Sequence, residues 1–515
     1  MATKFTTAES KAVYDDARLP GVKAIWEHFL ALVETPRGSG QPEPVRSKIL
    51  QWGKDWGYES FIDEIGNVII RKPAAKGYEN RPGVCLQAHY DMVAVKDEGV
   101  DIDMTKDPLK PRLLTSPKLD HSASVLMATG TSLGGDDGIG CAIILAILQN
   151  KDLKHGPIDA LFTTDEETTM LGSENLKRGT ITTKYLINVD SEEDWRICIG
   201  CAGGYAETLT IDLKKGEFNG ERIEIWCKGL QGGHSGVEIN EGRANAIKLL
   251  GRAVNQTSLA AGVDTITAQY FVCGDKRNVI PHTARSQWVV PSDKKESFLK
   301  EFERVTAEIK KEWKAKEPTL EFTINASKDE GVSKQHKAYD VQSTRRFLDA
   351  VLTLPHGVLR MSPNVPGLVQ TSTNLAKVVL CDMCEEAKAT FETFSRSMDD
   401  EEMKELHEVF NAHTRSLGAT STGITGWFPG WLPDTENKLL DVAKQEFKRL
   451  RGVDADIYAI HAGLECGILQ EKIPGVKCIS VGPYLTNVHS PQETLYVDTV
   501  PKVYDLILSI LEKID

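Results

Sequence analysis

Apolar residues recur along the first 200 positions with two alternating periods. Spacings of three and four positions predict helices at GVKAIWEHFLALVE, PVRSKILQWGKDWG and DGIGCAIILAILQN. Short apolar runs between them predict strands at FIDEIGNVIIRKP, VCLQAH, IDALFTT and YLINVD. Such alternation of helices and strands favours a largely parallel sheet covered by helices. We therefore predict an α/β domain in this part of the chain.

The pattern changes after about residue 204. Alternating strands and amphipathic helices follow, at AETLTIDL, RIEIWCKGL, ANAIKLLGRAVNQ, TITAQYFVC, SQWVVPS and FLKEFERVTAEIKKEWKAKE. A comparable set recurs through VLRMSPNVPGLVQTSTNLAKVVL, AKATFETFSRSM and DDEEMKELHEVFNAHTRSLG. From PDTENKLLDVAKQEFKRLRG onward the helix–strand alternation returns, with VKCISVGP as a strand and VPKVYDLILSILEKI as the closing helix. We interpret the whole as one α/β domain, residues 1–203 and 431–515, interrupted by an inserted α+β domain at 204–430.

Composition narrows the classes of partner and location. With 515 residues the chain is too long for one ordinary core. The formal charge of -13 disfavours nucleic acid or an anionic membrane as the main partner. No apolar run approaches the roughly 18 residues of a membrane span, and MATKFTTAESKAVYDDARLP has no apolar signal core. Ten scattered cysteines suit a reducing compartment. We expect a cytoplasmic protein that binds neither membrane nor nucleic acid.

The predicted strand VCLQAH ends in a histidine, and an aspartate comes two positions later. Alternation along a strand puts His89 and Asp91 on the same face. A carboxylate beside an imidazole can fix its tautomer, which is what a metal-bound histidine needs. A polar strand end with a hydrogen-bonded histidine is the alternative interpretation of this motif alone.

Other acidic residues and a second histidine also occupy predicted strand ends or the loops beyond them. They are Glu166 and Glu167 in LFTTDEETTM, Asp190 in NVDSEED and His489 in VGPYLTNVHSPQET. Asp136, in the glycine-rich turn TSLGGDDGIG, could reach the same place from the start of the helix that follows. In an open α/β sheet, sites lie outside the carboxyl ends of the strands. No cluster of lysine or arginine near these acids would neutralise them, so divalent metal is the simplest compensation. Mixed imidazole and carboxylate ligands suit zinc, with manganese and cobalt as alternatives. The inventory is right for two metals that share one acid, with a glutamate to spare that activates water.

The motifs together resemble a known family. The matching stretches, which run from about residue 22 to 495, are GNVIIRKPAAKGYENRPGVCLQAHYDMV, TSLGGDDGIG, TTDEETTMLG, LINVDSEED, GCAGG, GLQGGHSG, RNVIP, FSRSM, PGWLPD, IHAGLECG and SVGPYLTNVHSP. The chain resembles the aminoacyl-histidine dipeptidases (cytosolic non-specific dipeptidases). They belong to the co-catalytic di-zinc peptidases that include carnosinases, carboxypeptidases and desuccinylases. The resemblance implies a zinc-peptidase-like fold, in which a helix-flanked mixed sheet is interrupted by an α+β lid of two ferredoxin-like subdomains.

The resemblance also assigns roles to the candidate residues. Asp136 would bridge two Zn²⁺ ions, for which Mn²⁺ or Co²⁺ are possible substitutes. His89 and Asp190 would complete one metal site, and Glu167 and His489 the other. Asp91 would orient His89. Glu166 would be the general base that deprotonates water and later protonates the leaving amine.

Five residues outside these motifs would contact the substrate. His234 in GLQGGHSG resembles a histidine that stabilises the oxyanion, although a surface turn histidine is the alternative from the residues alone. Asn278 in RNVIP and Arg396 in SRSM resemble positions that hold the substrate carboxylate. His461 and Gly463 in IHAGLECG resemble further substrate contacts and lie in the returning α/β domain.

Three functions are compatible with these features. The first is hydrolysis of unblocked dipeptides, including Xaa-His. The second is removal of acetyl or succinyl groups from N-acyl amino acids by the same chemistry. The third, a receptor-like or scaffold relative without catalysis, predicts lost ligands, yet every ligand and the base are present. The protein would be a monomer or a homodimer. The length of the insertion predicts that His234 serves the metals of its own chain.

Overall fold

A computed structural model describes residues 5–41, 43–115, 124–326, 335–363, 365–381 and 386–515. Helices and strands are numbered along the whole chain. The α-helices are α1 (Ala8–Asp15), α2 (Lys23–Val33), α3 (Val45–Asp55), α4 (Gly135–Gln149), α5 (Glu166–Thr169), α6 (Leu171–Glu174), α7 (Ala246–Ala260), α8 (Lys295–Trp313), α9 (Val341–Thr353), α10 (Asp400–Leu417), α11 (Lys438–Arg451), α12 (Glu465–Lys472) and α13 (Val500–Lys513). Single-turn 3-10 helices span Ile239–Glu241, Ser292–Lys294 and Val497–Thr499.

The strands fall into two groups along the chain. The first twelve are β1 (Glu59–Ile62), β2 (Val68–Lys72), β3 (Val84–His89), β4 (Pro111–Thr115), β5 (Ser124–Ala128), β6 (Ile158–Thr163), β7 (Tyr185–Asn188), β8 (Arg196–Cys201), β9 (Gly203–Asp212), β10 (Lys215–Asn219), β11 (Glu221–Lys228) and β12 (Thr267–Cys273). The second twelve are β13 (Ala284–Val290), β14 (Glu321–Ala326), β15 (Gln335–Tyr339), β16 (Gly357–Met361), β17 (Val369–Leu380), β18 (Lys388–Ser397), β19 (Thr420–Ser421), β20 (Thr425–Phe428), β21 (Asp456–Ile460), β22 (Lys477–Ser480), β23 (Leu485–Thr486) and β24 (Thr494–Tyr496).

The chain divides into two compact units. Unit 1 comprises Met1–Cys201, Trp431–Ala459 and Leu464–Asp515, and unit 2 comprises Ala202–Gly430 with the short segment Ile460–Gly463. The short segment lies inside the range 431–515, which the sequence assigns to the second part of the α/β domain. It groups with unit 2 because Ala202 donates backbone hydrogen bonds to the carbonyls of Ile460 and Ala462.

Unit 1 is built on an eight-stranded mixed sheet with the order β1-β2-β6-β3-β7-β22-β8-β21. Its central strands β6, β3, β7 and β22 are parallel, and antiparallel pairs flank them. The helix α4 is buried along nearly its whole length, because its sequence GIGCAIILAIL offers no polar face. A four-stranded sheet of β23, β24, β5 and β4 completes the unit.

Unit 2 contains a ten-stranded sheet that two helix-covered halves share. Strands β14, β11, β13 and β12 form one half, and β17, β18, β9 and β19 continue the order. The other two strands lie off this path, where β16 pairs with β17 and β20 pairs with β9. Antiparallel pairing of β12 with β17 joins the halves. The helices bury one stripe each, as in α8, where Phe298, Phe302, Val305 and Ile309 repeat at spacings of four, three and four. Two strands, β10 and β15, form a separate small sheet.

Candidate metal centre

Parallel strands in unit 1 end side by side and carry the candidate ligands. His89 is the last residue of β3, Glu166 and Glu167 begin the helix after β6, and Asp190 follows β7. Strand β3 pairs in parallel with β6 on one side and with β7 on the other. The carboxyl ends of parallel strands meet at the same edge of a sheet. The sheet therefore delivers an imidazole and three carboxylates to one place.

The carboxylate of Asp136 lies between the two candidate histidines. Its Oδ1 is 3.0 Å from His89 Nε2, and its Oδ2 is 3.1 Å from His489 Nε2. Asp136 and the following Asp137 have non-helical φ and ψ at the start of α4, and a cis peptide bond joins them. Each oxygen of a single carboxylate thus faces a different imidazole, which is the arrangement that a ligand shared by two metals requires.

Two ligand groups share this carboxylate. Asp190 Oδ1 lies 3.6 Å from His89 Nε2, and Glu167 Oε2 lies 2.9 Å from His489 Nε2. The first group is His89, Asp136 and Asp190, and the second is Asp136, Glu167 and His489. Within each group, the candidate ligand atoms lie within 4.8 Å of one another. A third group combines His89 with Glu166 and Glu167.

The donor set fits divalent cations. Within the described part of the chain, none of the four carboxylates of the centre pairs with a lysine or an arginine; their ionic contacts are to the two imidazoles. Glu167 Oε1 is buried and has no hydrogen-bond partner among the described residues, although a buried carboxylate oxygen is costly without one. Imidazole nitrogens with carboxylate oxygens are ligands that Zn²⁺ and Mn²⁺ accept. The residues present therefore fit two such ions that share Asp136.

The electrostatics of the centre favour positive charge. Hydrogen bonds to Asp136 and Glu167 raise the pKa of His489 to about 11, although burial opposes the shift. Burial alone would lower the pKa of His89, but the Asp190 charge and hydrogen bonds to the surrounding carboxylates raise it well above 6.5. Burial raises the pKa of Asp190 to about 6, although the His89 charge opposes the shift. Protons and metal ions would therefore compete for the same positions.

Glu166 lies near His89 without belonging to either of the two ligand groups that share Asp136. Its Oε2 is 3.9 Å from His89 Nε2. Removal from water raises the pKa of Glu166 well above 4.5; the His89 charge opposes this shift and the Asp190 charge adds to it. A carboxylate with a raised pKa at the edge of a metal centre is suited to accept and return a proton.

Asp91 holds both His89 and the segment that carries the glutamates. Its Oδ1 lies 3.4 Å from His89 Nδ1. The same Oδ1 accepts a hydrogen bond from the backbone N–H of Glu166 at 3.0 Å, and Oδ2 accepts one from Ser39 Oγ at 2.7 Å. Burial would raise the pKa of Asp91, but the hydrogen bond and charge of His89 lower it overall. Asp91 therefore remains an anion that orients its neighbours.

His234 lies in the glycine-rich turn of unit 2 with its tautomer fixed by the backbone. The N–H groups of Gly236 and Val237 both donate to His234 Nδ1 at 3.2 Å. The neutral ring therefore carries its proton on Nε2. Burial lowers the pKa of His234 to about 4, and the Arg396 charge adds to this shift. At neutral pH the side chain is uncharged, and the hydrogen bonds of the turn occupy Nδ1 and leave the Nε2–H as the donor.

Arg396 and His461 are buried near His234. Arg396 lies over the ring of Phe394 at 4.7 Å and has no acidic partner among the described residues, so burial alone lowers its pKa to about 10. His461 Nε2 lies 2.7 Å from Ser372 Oγ, and burial followed by the Arg396 charge lowers the pKa of His461 to about 3. An unpaired buried guanidinium is a prepared site for an anion.

The remaining predicted contacts, Asn278 and Gly463, are placed less distinctly. The carbonyl of Asn278 accepts a hydrogen bond from the N–H of Ser235 at 2.8 Å, so its backbone supports the turn that carries His234, while its side chain is exposed. Gly463 ends the short segment of unit 2 that also contains His461.

Several residues in each unit have no motif that identifies them in the sequence. Ser39 hydrogen-bonds Asp91, and Ser372 hydrogen-bonds His461. Glu465 is buried and accepts hydrogen bonds from Gln87 at 2.5 Å and Thr163 at 2.7 Å. Glu465 lies in the stretch IHAGLECG. An acidic residue within this apolar run is the sequence feature that could have identified it.

A family model for Peptidase family M20/M25/M40 matches residues 85–513. The chain belongs to this family. The match spans every candidate ligand and the candidate base, so the peptidase family predicted from the motifs is confirmed.

Two relatives are similar to this M20/M25/M40 peptidase along nearly its whole length. The cytosol non-specific dipeptidase of Escherichia coli K12 is 33% identical over 495 residues, which are 95% of this chain and 97% of that protein. The crystal structure of aminoacylhistidine dipeptidase from Vibrio alginolyticus superimposes with a TM-score of 0.86 at 32% identity, covering 98% of this chain and 99% of that one. The predicted fold class is confirmed by this match.

A more distant solved structure shares the fold alone. Aminopeptidase PepT from Bacillus cereus matches with a TM-score of 0.52 at 16% identity, covering 96% of this chain and 98% of that chain.

Among the described residues of the present chain, no helix is both long enough and apolar enough to span a membrane.

Proposed function

We propose that the protein is a metal-dependent dipeptidase that hydrolyses short peptides with a free amino terminus, including Xaa-His. The observation that carries the proposal is the position of Asp136, whose two carboxylate oxygens face two different imidazoles. Near one of these imidazoles lies Glu166, which belongs to neither of the ligand groups that share Asp136. The nearly full-length similarity to two dipeptidases supports the choice of substrate.

Five residues would hold the metal ions. Asp136 would be shared, with His89 and Asp190 in one shell and Glu167 and His489 in the other, as their two ligand groups suggest. We propose Zn²⁺ as the natural ion, with Mn²⁺ or Co²⁺ as substitutes. When bound, the metals would polarise the scissile carbonyl and lower the pKa of a water molecule.

Glu166 would move the proton in this reaction. As a carboxylate it would accept a proton from the attacking water, and as a carboxylic acid it would return that proton to the leaving amine. Asp91 would keep Glu166 in place through the Glu166 backbone N–H. A base must stay free of the metal to do this, and Glu166 is the acid that lies outside both groups that share Asp136.

The residues of unit 2 would recognise the substrate. His234 would donate its Nε2–H to the developing oxyanion, since its Nδ1 is already occupied by two backbone donors. Arg396, which has no acidic partner among the described residues, would bind the terminal carboxylate of the peptide. Asn278, His461 and Gly463 would complete this set.

A substrate panel on metal-reconstituted protein tests the proposal. We expect turnover of Gly-His and β-Ala-His with Zn²⁺, Mn²⁺ or Co²⁺, and no turnover after treatment with a chelator. Acetyl- and succinyl-amino acids are the matched comparison, because they lack the free amine but contain the same kind of amide bond. Faster turnover of the acyl substrates would replace the dipeptidase proposal with a deacylase. Activity that survives complete metal removal would contradict both.

A further inference from the structure

The carboxylate of Glu493 binds the backbone of the loop that carries Asp136. Its Oε2 accepts hydrogen bonds from the N–H groups of Leu133 and Gly134 at 2.7 and 2.9 Å. Its Oε1 accepts from the N–H groups of Gly135 and Asp136 at 2.6 and 3.2 Å. Glu493 is buried, so one buried side chain satisfies four consecutive backbone donors.

The loop cannot satisfy these donors by itself. The residue before α4 is Gly134, which has a φ of +67° and offers no capping side chain. The first N–H groups of a helix have no partner inside the helix and normally need a capping acceptor. Glu493, 357 residues away from Asp136 in the sequence, supplies that acceptor and places a negative charge at the positive end of α4.

Arg37 binds the opposite side of the same loop. Its Nη2 donates to the carbonyl of Gly134, and its Nη1 donates to the carbonyls of Tyr90 and Asp91 at 3.0 Å each. A Cβ atom at Gly134 or Gly138 would collide with the guanidinium. The glycines around Asp136 therefore make room for Arg37, which joins this loop to the segment that follows β3.

The segment that carries His489 also needs an external anchor. Asn487 and His489 both have positive φ, at 54° and 59°, a conformation that costs free energy in residues other than glycine. Glu493 lies four positions after His489 and ties this segment to the loop of Asp136. Arg37 and Glu493 thus link three segments, those that contain His89, Asp136 and His489.

We propose that Glu493 and Arg37 are positioning residues that set the direction of the Asp136 carboxylate and so the affinity for the shared pair of metals. This inference rests on the proposed metal-dependent function. Both side chains act through backbone groups: Arg37 binds the carbonyls of Tyr90 and Asp91, and Glu493 binds the N–H groups of the loop that carries Asp136. Residues that orient metal ligands typically contribute about 10–100-fold to metal affinity.

The central test is Glu493→Gln in the full chain. Glutamine keeps one acceptor oxygen, so two of the four backbone N–H groups lose their partner while the side chain's size is preserved. We expect titration of the metal-free protein with Zn²⁺ to show at least about tenfold weaker binding. The kcat at limiting Zn²⁺ should fall and recover with excess Zn²⁺, while KM for the dipeptide changes little.

A matched control is Glu317→Gln in unit 2. Glu317 is also buried, and its two oxygens accept hydrogen bonds from the backbone N–H groups of Gln231 and Ala244 at 2.9 Å each. Loss of a buried acceptor there should leave Zn²⁺ affinity unchanged. Wild-type affinity in Glu493→Gln, or an equal loss in Glu317→Gln, would overturn the inference.

Two further variants separate the possible failures. If Glu493→Gln does not fold, Arg37→Lys provides the same test from the other side of the loop, because lysine cannot reproduce the fork that reaches both segments. Its Zn²⁺ affinity should fall as well, and wild-type affinity would overturn the role of Arg37. Failure of the wild-type protein to bind Zn²⁺ would instead overturn the proposed function.

Discussion

At the scale of single residues, two adjacent glutamates have opposite predicted roles. Glu167 Oε2 contacts His489 Nε2 at 2.9 Å within a group that includes Asp136, whereas Glu166 lies outside both groups that share Asp136. We predict that Glu166→Gln reduces kcat by about 10²–10⁴-fold, the usual contribution of a general base, with its metal content unchanged.

Glu167→Gln is the matched control, because it makes the same chemical change one position along the chain. Removal of a ligand charge should lower its metal content, and metal analysis of the two purified variants distinguishes the roles. Substantial activity in Glu166→Gln, or full metal content in Glu167→Gln, would show that the two assignments are wrong.

The residues that the sequence identifies are those with strong local signals. His89 ends an apolar strand, and Glu166, Glu167 and Asp190 follow one; parallel pairing then brings the strand ends together. Arg37 and Glu493 have no such signal, because they act on backbone groups of segments far away in the sequence. In the sequence, a glutamate that accepts hydrogen bonds from buried backbone N–H groups cannot be distinguished from one that faces solvent.

At the scale of secondary structure, a buried histidine on α2 predicts a pH-dependent stability. His28 Nε2 lies 3.0 Å from Gln149 Oε1 on α4, and its ring packs edge-on against Trp52 and Trp56. Burial lowers the pKa of His28 to about 4. Because the unfolded chain takes up the proton near pH 6.5, stability present above pH 6.5 is lost as the pH falls toward 4. The loss amounts to about 3 kcal/mol at most.

Thermal unfolding of the metal-free protein at pH 7.5 and pH 5 measures this effect. We expect the fall in Tm between the two pH values to be smaller in His28→Gln than in the wild type, even if the variant is less stable at both. His282→Gln is the control, since His282 is exposed and its replacement should leave the pH response unchanged. An unaltered pH response in His28→Gln would contradict the prediction.

Most long elements were predictable because their apolar spacing is regular. Helices α2, α3, α10, α11 and α13 lie within the predicted segments, and α8 begins three residues before its predicted segment. Helix α9 was missed, although Asp340 caps it and Phe347, Leu348 and Val351 form its buried face. Arg345 and Arg346 directly precede these apolar residues and weaken the helical pattern in the sequence. The strands β5 and β24 pair across about 370 residues, a relation that no local pattern contains.

At the scale of the whole molecule, the candidate chemistry is divided between the two units. The ligands and Glu166 belong to unit 1, whereas His234, Arg396 and His461 belong to unit 2. In relatives with a shorter inserted domain, the resemblance implies that one chain lends its histidine to another. Here the insertion is about twice as long as a single α+β unit needs, and its two helix-covered halves share one sheet within one chain. We therefore predict that His234 serves the metals of its own chain.

Mixing two inactive variants tests this prediction. His234→Ala lacks the oxyanion donor and Glu166→Gln lacks the base, so each alone should be inactive while retaining its metals. The two proteins are combined under conditions that allow subunits to exchange, and dipeptide turnover is measured. If His234 acts within its own chain, every site still lacks one of the two groups and no activity returns. If it acts on a partner, half of randomly formed dimers are mixed and one of their two sites is complete, so activity rises to about a quarter of wild-type sites. That recovery would show that the prediction is wrong and that the active form requires two chains.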